Sequence, residues 1–218
     1  MKEAISVLVV DDHAMVRQML TNRLDEEPDI TVVAGVGTAD DAVTEAVRLE
    51  PSIVLMDIDM PGMLCFDAAR TIGTQCPDTR IVFLSAFFHD RYIEQAMAVH
   101  AWGYITKSEP EDAVVEAIRR VSTGVAYFSP EVQARIVVDA QGAKLAHPQR
   151  SRVSTLSERE LEVLRYIARG LTKKGIARTM HLSVNTVNRH TANIMAKLDI
   201  HDRVELARFA IREGLAEA

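Results

Sequence analysis

Cysteine is scarce in this chain: two among 218 residues, Cys65 and Cys76. Neither stands in a CxxC or metal-ligand spacing, which excludes a disulfide-stapled scaffold and a cysteine-built metal or redox centre. Both fall in one segment expected to be helical and are expected as reduced thiols. Aromatic residues make up only 5% of the chain, so the core must come from Val, Ile, Leu and Ala. No apolar run approaches the roughly 20 residues that cross a bilayer. Met1-Lys2-Glu3 leads straight into a short apolar run closed by Asp11-Asp12, too short for a signal peptide. A cytoplasmic protein with no membrane partner is expected. Internal repeats and low-complexity tracts are absent too.

Charge is present, but unevenly. Residues 1–125 carry 21 acidic and 10 basic side chains, whereas residues 151–218 carry 8 acidic and 12 basic. An acidic half does not hold nucleic acid, and a small basic half can.

The chemistry of the acidic half centres on Ile53-Val54-Leu55-Met56-Asp57. Four apolar residues read as a strand buried on both faces, and a carboxylate stands at its end. Pro61-Gly62 then breaks the chain into a loop, so Asp57 is expected at the carboxyl edge of a sheet, where open α/β folds place ligands. The first strand, Ile5–Val10, ends in Asp11-Asp12. Three carboxylates share a site only if a cation neutralises them, and oxygen-only ligands imply a hard ion, Mg²⁺. A strand over 80–85 ends in the hydroxyl of Ser85, and one over 103–107 ends in the amine of Lys107. Three acids, a hydroxyl and a lysine suit an aspartyl phosphate, with metal and Lys107 on phosphoryl oxygens and Ser85 donating to another.

The ordered set Asp11-Asp12, Asp57, Ser85 and Lys107, with Met60-Pro61-Gly62 after the nucleophile, resembles the receiver domain of two-component response regulators over residues 4 to about 123. The resemblance implies a flavodoxin-like fold, phosphorylation of Asp57 by a sensor histidine kinase, and a metal ligand from the backbone carbonyl of Asp59. It also implies that Tyr104 is a switch aromatic, turning into space that Ser85 vacates on moving toward the phosphoryl group. Ala86 would leave room for that group, and Phe87 would shield it from water.

Strand and helix signals alternate through this half, giving a doubly wound, five-stranded parallel sheet. Thr38 with Asp41 caps the second helix, Ser108 with Glu111 opens the fifth, and Gly124 ends it. His13, His89 and His100 match no ligand spacing and read as solvated surface residues. His100 and Trp102 stand where receivers usually carry glycine and a small residue; Trp102 with Phe87-Phe88 forms an exposed apolar patch or fills local gaps. Residues 125–153 read as a connector: a short helix from Ser129-Pro130 to about Val138, then a flexible linker.

The basic half, 154–218, reads as a smaller all-α domain. Ser157 and Glu160 form a capping box before Leu161, Val163, Leu164 and Ile167. Helices over 172–180 and 184–198 flank the turn His181-Leu182-Ser183, a helix-turn-helix pattern whose second helix enters a major groove. On that helix Val184, Val187, Ile194 and Leu198 read as the core stripe. Asn185, Asn188, Arg189 and Asn193 lie opposite with chemistry for base edges, while Lys173, Lys174, Thr186 and Lys197 suit phosphates. An amphipathic surface helix without a ligand shows the same stripe.

Leu156-Ser-Glu-Arg-Glu, Gly170-Leu-Thr, Ile176-Ala, Leu182-Ser-Val-Asn-Thr-Val and His190 through Lys197-Leu198 resemble the LuxR-type helix-turn-helix. His190 joins the DNA-contact set on that likeness. Gly175, Asn188 and Asp199 depart from the usual residues, glutamate, lysine and a small side chain respectively. The two resemblances together are those of a NarL/FixJ-type response regulator. They imply a transcription regulator that binds double-stranded promoter DNA as a homodimer when phosphorylated, with RNA polymerase as a further partner and no enzymatic turnover. Leu206, Phe209 and Ala210 on the last helix are the expected dimer seam. Two competing readings are a phosphorylation-independent DNA-binding regulator and a phosphotransferase using Asp57-Ile58-Asp59 as a DxD nucleophile.

Overall fold

Buried apolar runs set the first half. Ile5–Val10 (β1), Ile30–Val36 (β2), Ile53–Asp57 (β3), Arg80–Ser85 (β4) and Gly103–Thr106 (β5) pair in parallel, in the order β2-β1-β3-β4-β5. This computed structural model describes residues 4–58, 60, 65–86, 90–139, 142–145, 152–213 and 215. Each residue of β3 is buried, as a central strand covered on both faces requires, whereas edge strand β2 is only partly so. Helices α1 (Ala14–Asp25), α2 (Ala39–Leu49), α3 (Cys65–Gln75), α4 (Asp90–Ala98) and α5 (Glu111–Ser122) connect the strands. Val7, Val9, Ile53, Leu55, Val82 and Ile105 pack with Val114, Val115 and Ile118 in one core cluster; each such burial is worth about 1.5–3 kcal/mol. Both cysteines are free and buried.

A sixth strand, β6 (Tyr127–Phe128), extends the sheet beyond β5. A Cβ on Gly103 would lie 2.9 Å from the Tyr127 carbonyl oxygen and 3.0 Å from Val82 Cγ1, so only glycine allows this close pairing. Ser129, fully buried, accepts from the Thr106 N–H at 2.9 Å, and its own N–H donates to the Tyr104 carbonyl at 2.9 Å. The segment expected to open a connector thus begins as part of the sheet.

Some local expectations are corrected. Helix α6 covers only Pro130–Gln133, and the chain continues as an antiparallel hairpin, β7 (Ile136–Asp139) with β8 (Gly142–Leu145). The β-branched run Ile136-Val137-Val138 favours a pleated strand over a helix. Helix α5 starts from Pro110 without a side-chain cap; Ser108 Oγ instead bonds Thr106 Oγ1 at 3.0 Å. Trp102 is half-buried against the core with the Arg80 guanidinium 4.8 Å over its ring, so it fills a local gap. Phe87, Phe88 and His89 lie outside the described residues. His100 adopts φ 56°, the left-handed region that glycine occupies at least cost.

Two compact units divide the chain near residue 146. In the second, a 3-10 turn (Arg152–Thr155) precedes α7 (Glu158–Ala168), α8 (Lys173–Thr179), α9 (Val184–Leu198) and α10 (Arg203–Arg212). The capping box forms: Glu160 N–H donates to Ser157 Oγ at 3.3 Å and Ser157 N–H to Glu160 Oε2 at 2.7 Å. On α9 the core stripe is Val187, Thr191, Ile194 and Leu198. Val184 is 38% exposed, so its expected core place is corrected. It is the first helical residue, on the edge of the stripe, and Thr191 takes the inward place while its hydroxyl back-bonds to the Val187 carbonyl at 2.8 Å. No helix among the described residues is long and apolar enough to cross a membrane.

Candidate functional site

Strand order brings the acids together. β1 and β3 are neighbours in register Val10 opposite Met56, so Asp11 and Asp57 leave adjacent strand ends at the carboxyl edge. Both are fully buried. Next along, Asp57 pairs with Leu84 and Ser85 with Thr106, which sets the Ser85 hydroxyl and Lys107 on the same edge. Lys107 N–H donates to the Ser85 carbonyl at 2.7 Å, fixing where the lysine departs. Its Nζ lies 2.8 Å from Asp11 Oδ2 and 3.0 Å from Asp57 Oδ2. One cation thus bridges two buried carboxylates that sit 46 residues apart in sequence.

His13 N–H donates to Asp11 Oδ1 at 2.8 Å, and His13 Nδ1 lies 2.8 Å from Asp12 Oδ1. The imidazole is mostly exposed, as a solvated surface residue should be, and it nonetheless stands beside the acidic cluster. Arg17 was not singled out by sequence either. It lies across β2, its stem 3.4 Å from where a Cβ on Gly35 would be, and its Nη1 donates to the Asp11 carbonyl at 2.5 Å. No sequence spacing announces this contact, because it depends on Gly35 and Gly37 leaving space for the arginine.

Electrostatics follow from burial. Loss of solvent pushes the Asp57 carboxyl up to about 6; the Lys107 charge opposes this, and Asp11 and Asp12 reinforce it. Burial acts to lower the Lys107 amine, but Asp57 and Asp11 outweigh it and hold the amine above its ordinary value. Tyr104 is fully buried, turned inward, with its hydroxyl bonded to Ser85 and its ionisation suppressed by burial. Ser85 is thereby engaged by the residue assigned as the switch aromatic. Ala86, the residue after Ser85, is exposed. The Asp59 carbonyl and Phe87 lie outside the described residues.

Asp11, Asp12, His13 and Asp57 each offer an atom within 4.8 Å of the others. The carboxylate oxygens are hard donors suited to a small divalent cation, and this is an acidic pocket of the type that holds Mg²⁺. The buried, mutually repelling charges give such a cation a reason to bind.

In the helix-turn-helix unit, Lys173, Lys174, Asn185, Asn188, Arg189 and Asn193 are exposed. Thr186 is half-buried and its hydroxyl lies 2.8 Å from Ser183 Oγ within the α9 cap. His190 is half-buried, with Nδ1 inside and unbonded. Lys197 pairs with the buried Glu160 at 2.6 Å, an ion pair within the domain. Leu206, Phe209 and Ala210 are 0%, 3% and 0% exposed, on a helix that packs against α7. The expected dimer seam is therefore corrected: that face belongs to the domain's own core, and among the described residues of α10 Val204 is the large apolar side chain left outside.

A doubly wound sheet with this pocket, followed by a helix-turn-helix, defines a receiver joined to a DNA-binding module. Residues 7–119 match the response regulator receiver domain, and residues 154–210 match the luxR family of bacterial regulatory proteins. The response regulator VraR of Staphylococcus epidermidis is 32% identical over 217 residues, covering 98% of this chain and 100% of that one. The transcriptional regulatory protein LiaR of Bacillus subtilis is 33% identical over 213 residues, 97% of this chain and 99% of that one. The crystal structure of ChrA, a response regulator of a heme-sensing two-component system, superposes with a TM-score of 0.51 at 28% identity, over 97% of this chain and 98% of that one. The chain belongs to the two-component response regulators of NarL/FixJ type, with a LuxR-type DNA-binding domain: it is a transcriptional regulator and not an enzyme.

Proposed function

We propose that Asp57 is the phosphoacceptor and that its phosphorylation by a sensor histidine kinase drives promoter binding as a dimer. The carrying observation is the Lys107 ammonium seated between Asp11 and Asp57 at 2.8 and 3.0 Å. In the transfer, an Asp57 carboxylate oxygen attacks the phosphorus of phosphohistidine, the P–N bond breaks and the imidazole leaves. Asp11, Asp12 and Asp57, with the Asp59 carbonyl, would hold Mg²⁺, which when bound neutralises charge on the transferring phosphoryl group. Lys107 follows the new negative charge and pairs with a phosphoryl oxygen. Ser85 gives up Tyr104 and donates to another. Tyr104 then loses its hydroxyl partner and repacks, which is the local change that reports phosphorylation.

In this reading residues 1–124 are the receiver, 125–153 the connector and 154–218 the DNA-binding half, acting in the cytoplasm on promoter DNA and alongside RNA polymerase. Lys173 and Lys174 bind phosphates while α9 enters the major groove. Because the apolar face of α10 is buried, pairing of two copies uses other surface. The test is incubation with Mg²⁺ and acetyl phosphate, comparing wild type with Asp57→Ala for phosphate uptake, sedimentation mass and binding to the protein's own promoter. Uptake confined to wild type, with a doubled mass and tighter binding, is expected. Equal DNA binding by both proteins without uptake would mean a phosphorylation-independent regulator.

A further inference from the structure

We propose that the outward face of α9 selects a half-site made mainly of A·T base pairs, with a single guanine contact supplied by Arg189. The inference rests on the DNA-binding reading above and adds which bases are read. The inward stripe of α9 is Val187, Thr191, Ile194 and Leu198. Turned the other way are Asn185, Asn188, Arg189, Ala192, Asn193 and Ala196, all exposed, with Val184 38% exposed at the first helical position.

The chemistry of this set is one-sided. An asparagine amide presents a donor and an acceptor side by side, matching the N7 acceptor and N6 amino donor of adenine; methyl groups of alanine and valine match the thymine methyl. Among the described residues none of the three asparagine amides is tied to a neighbour, so each is available to a base. Ala192 and Ala196 lie one and nearly two turns beyond Asn188 and Arg189 on the same face. Their short side chains let the helix approach the base edges, where long ones would hold it away. Guanine offers two acceptors and needs a cation, and Arg189 is the one cation of this outward set. Lys197, on the flank, is held by Glu160 at 2.6 Å. The N-terminal residues of a recognition helix do most of the reading, and here they are Val184, Asn185, Asn188 and Arg189.

The test is selection from random duplexes by the full chain with Mg²⁺ and beryllofluoride, repeated for Asn185→Ala, Asn188→Lys and Arg189→Ala. These side chains are exposed, and a melting curve for each variant verifies the fold. Wild type is expected to enrich half-sites dominated by A·T pairs around one G·C pair. Arg189→Ala removes the preference at that G·C pair alone. Asn188→Lys replaces an adenine preference with guanine at one position and loses roughly 5- to 150-fold on the wild-type site. Half-sites rich in G·C, or a motif identical in wild type, Asn185→Ala and Asn188→Lys, would overturn the inference while leaving DNA binding intact. Enrichment of no motif by protein that takes up beryllofluoride would overturn the DNA-binding reading itself, and this inference with it.

Discussion

In the receiver pocket polar groups are buried and already committed; the outward asparagines and arginine of the reading helix are exposed and free. Asp11 and Asp57 have no solvent contact, and Lys107, His13 and Arg17 all bond to Asp11 or its backbone. Along α9, Asn185, Asn188 and Arg189 stand in water without a protein partner among the described residues. A pocket that must respond to one phosphoryl group holds an electrostatic imbalance ready to be relieved. A surface that must recognise a duplex keeps its donors and acceptors uncommitted, so that DNA displaces only water. Substitutions should therefore act on stability in the first region and on binding in the second.

The largest expected effect comes from cutting the buried pair. Lys107→Met leaves Asp11 and Asp57 facing each other without a cation, and should lower the stability of the metal-free protein by about 2–4 kcal/mol, with Mg²⁺ restoring part of it. Lys174→Met, the same change on an exposed side chain, should move stability by no more than about 0.5 kcal/mol. Urea titrations of both variants in EDTA check this; equal losses would erase the contrast.

Asp57 sharpens the contrast through pH. Its folded value is raised from 3.8 to about 6, so the folded protein binds more protons than the unfolded chain between those limits. This contribution to stability is present at low pH and is lost as pH rises from about 4 to about 6. It leaves ionised Asp57 costing about 2–3 kcal/mol at neutral pH. Glu160, held below its ordinary value by Lys197 and Ser157 against the opposing pull of burial, works the other way and is lost in acid. In EDTA, Asp57→Asn should raise the melting temperature at pH 7 and have little effect at pH 4; a constant increment at both would refute the buried-charge account.

Lys197 breaks the division between the regions, because it sits on the reading helix yet behaves like a pocket residue. Lys197→Met should cost about 1–2 kcal/mol by leaving the buried Glu160 carboxylate without its cation. Lys173→Ala should leave stability unchanged while reducing DNA affinity and its salt dependence by about one phosphate contact. Melting curves and salt titrations of binding separate the two.

The sequence made some of this visible and hid the rest for physical reasons. Acids, a hydroxyl and a lysine at successive strand ends could be read because parallel strands in a doubly wound sheet end on one edge. The caps at Thr38 and Ser157 were legible because they are local. The Glu160–Lys197 pair joins residues 37 apart, and no local pattern encodes it. Two-residue β6 is below the length at which strand patterning exists, and it depends on Gly103 lacking a side chain. The apolar face of α10 was legible as apolar, but an amphipathic stripe does not say whether its partner lies in the same chain. Val184 failed as a core residue because one helical step at the stripe's edge decides burial.

The smallest expected effect tests openness by a glycine. Gly175 is the third residue of α8, and its N–H is capped by Thr172 Oγ1 at 3.1 Å. A Cβ there would meet that oxygen at 3.4 Å and the Leu171 Cβ at 3.8 Å, ordinary contact distances. Gly175→Ala should therefore restrict the unfolded chain without straining the folded one and stabilise the domain by about 0.5–1 kcal/mol. The same change at Gly103 drives a Cβ to within 2.9 Å of the Tyr127 carbonyl and has the opposite sign. Denaturant midpoints of the two variants give the comparison directly. Stabilisation by both would mean that β6 yields to the added methyl, and that the receiver edge is as accommodating as the reading domain.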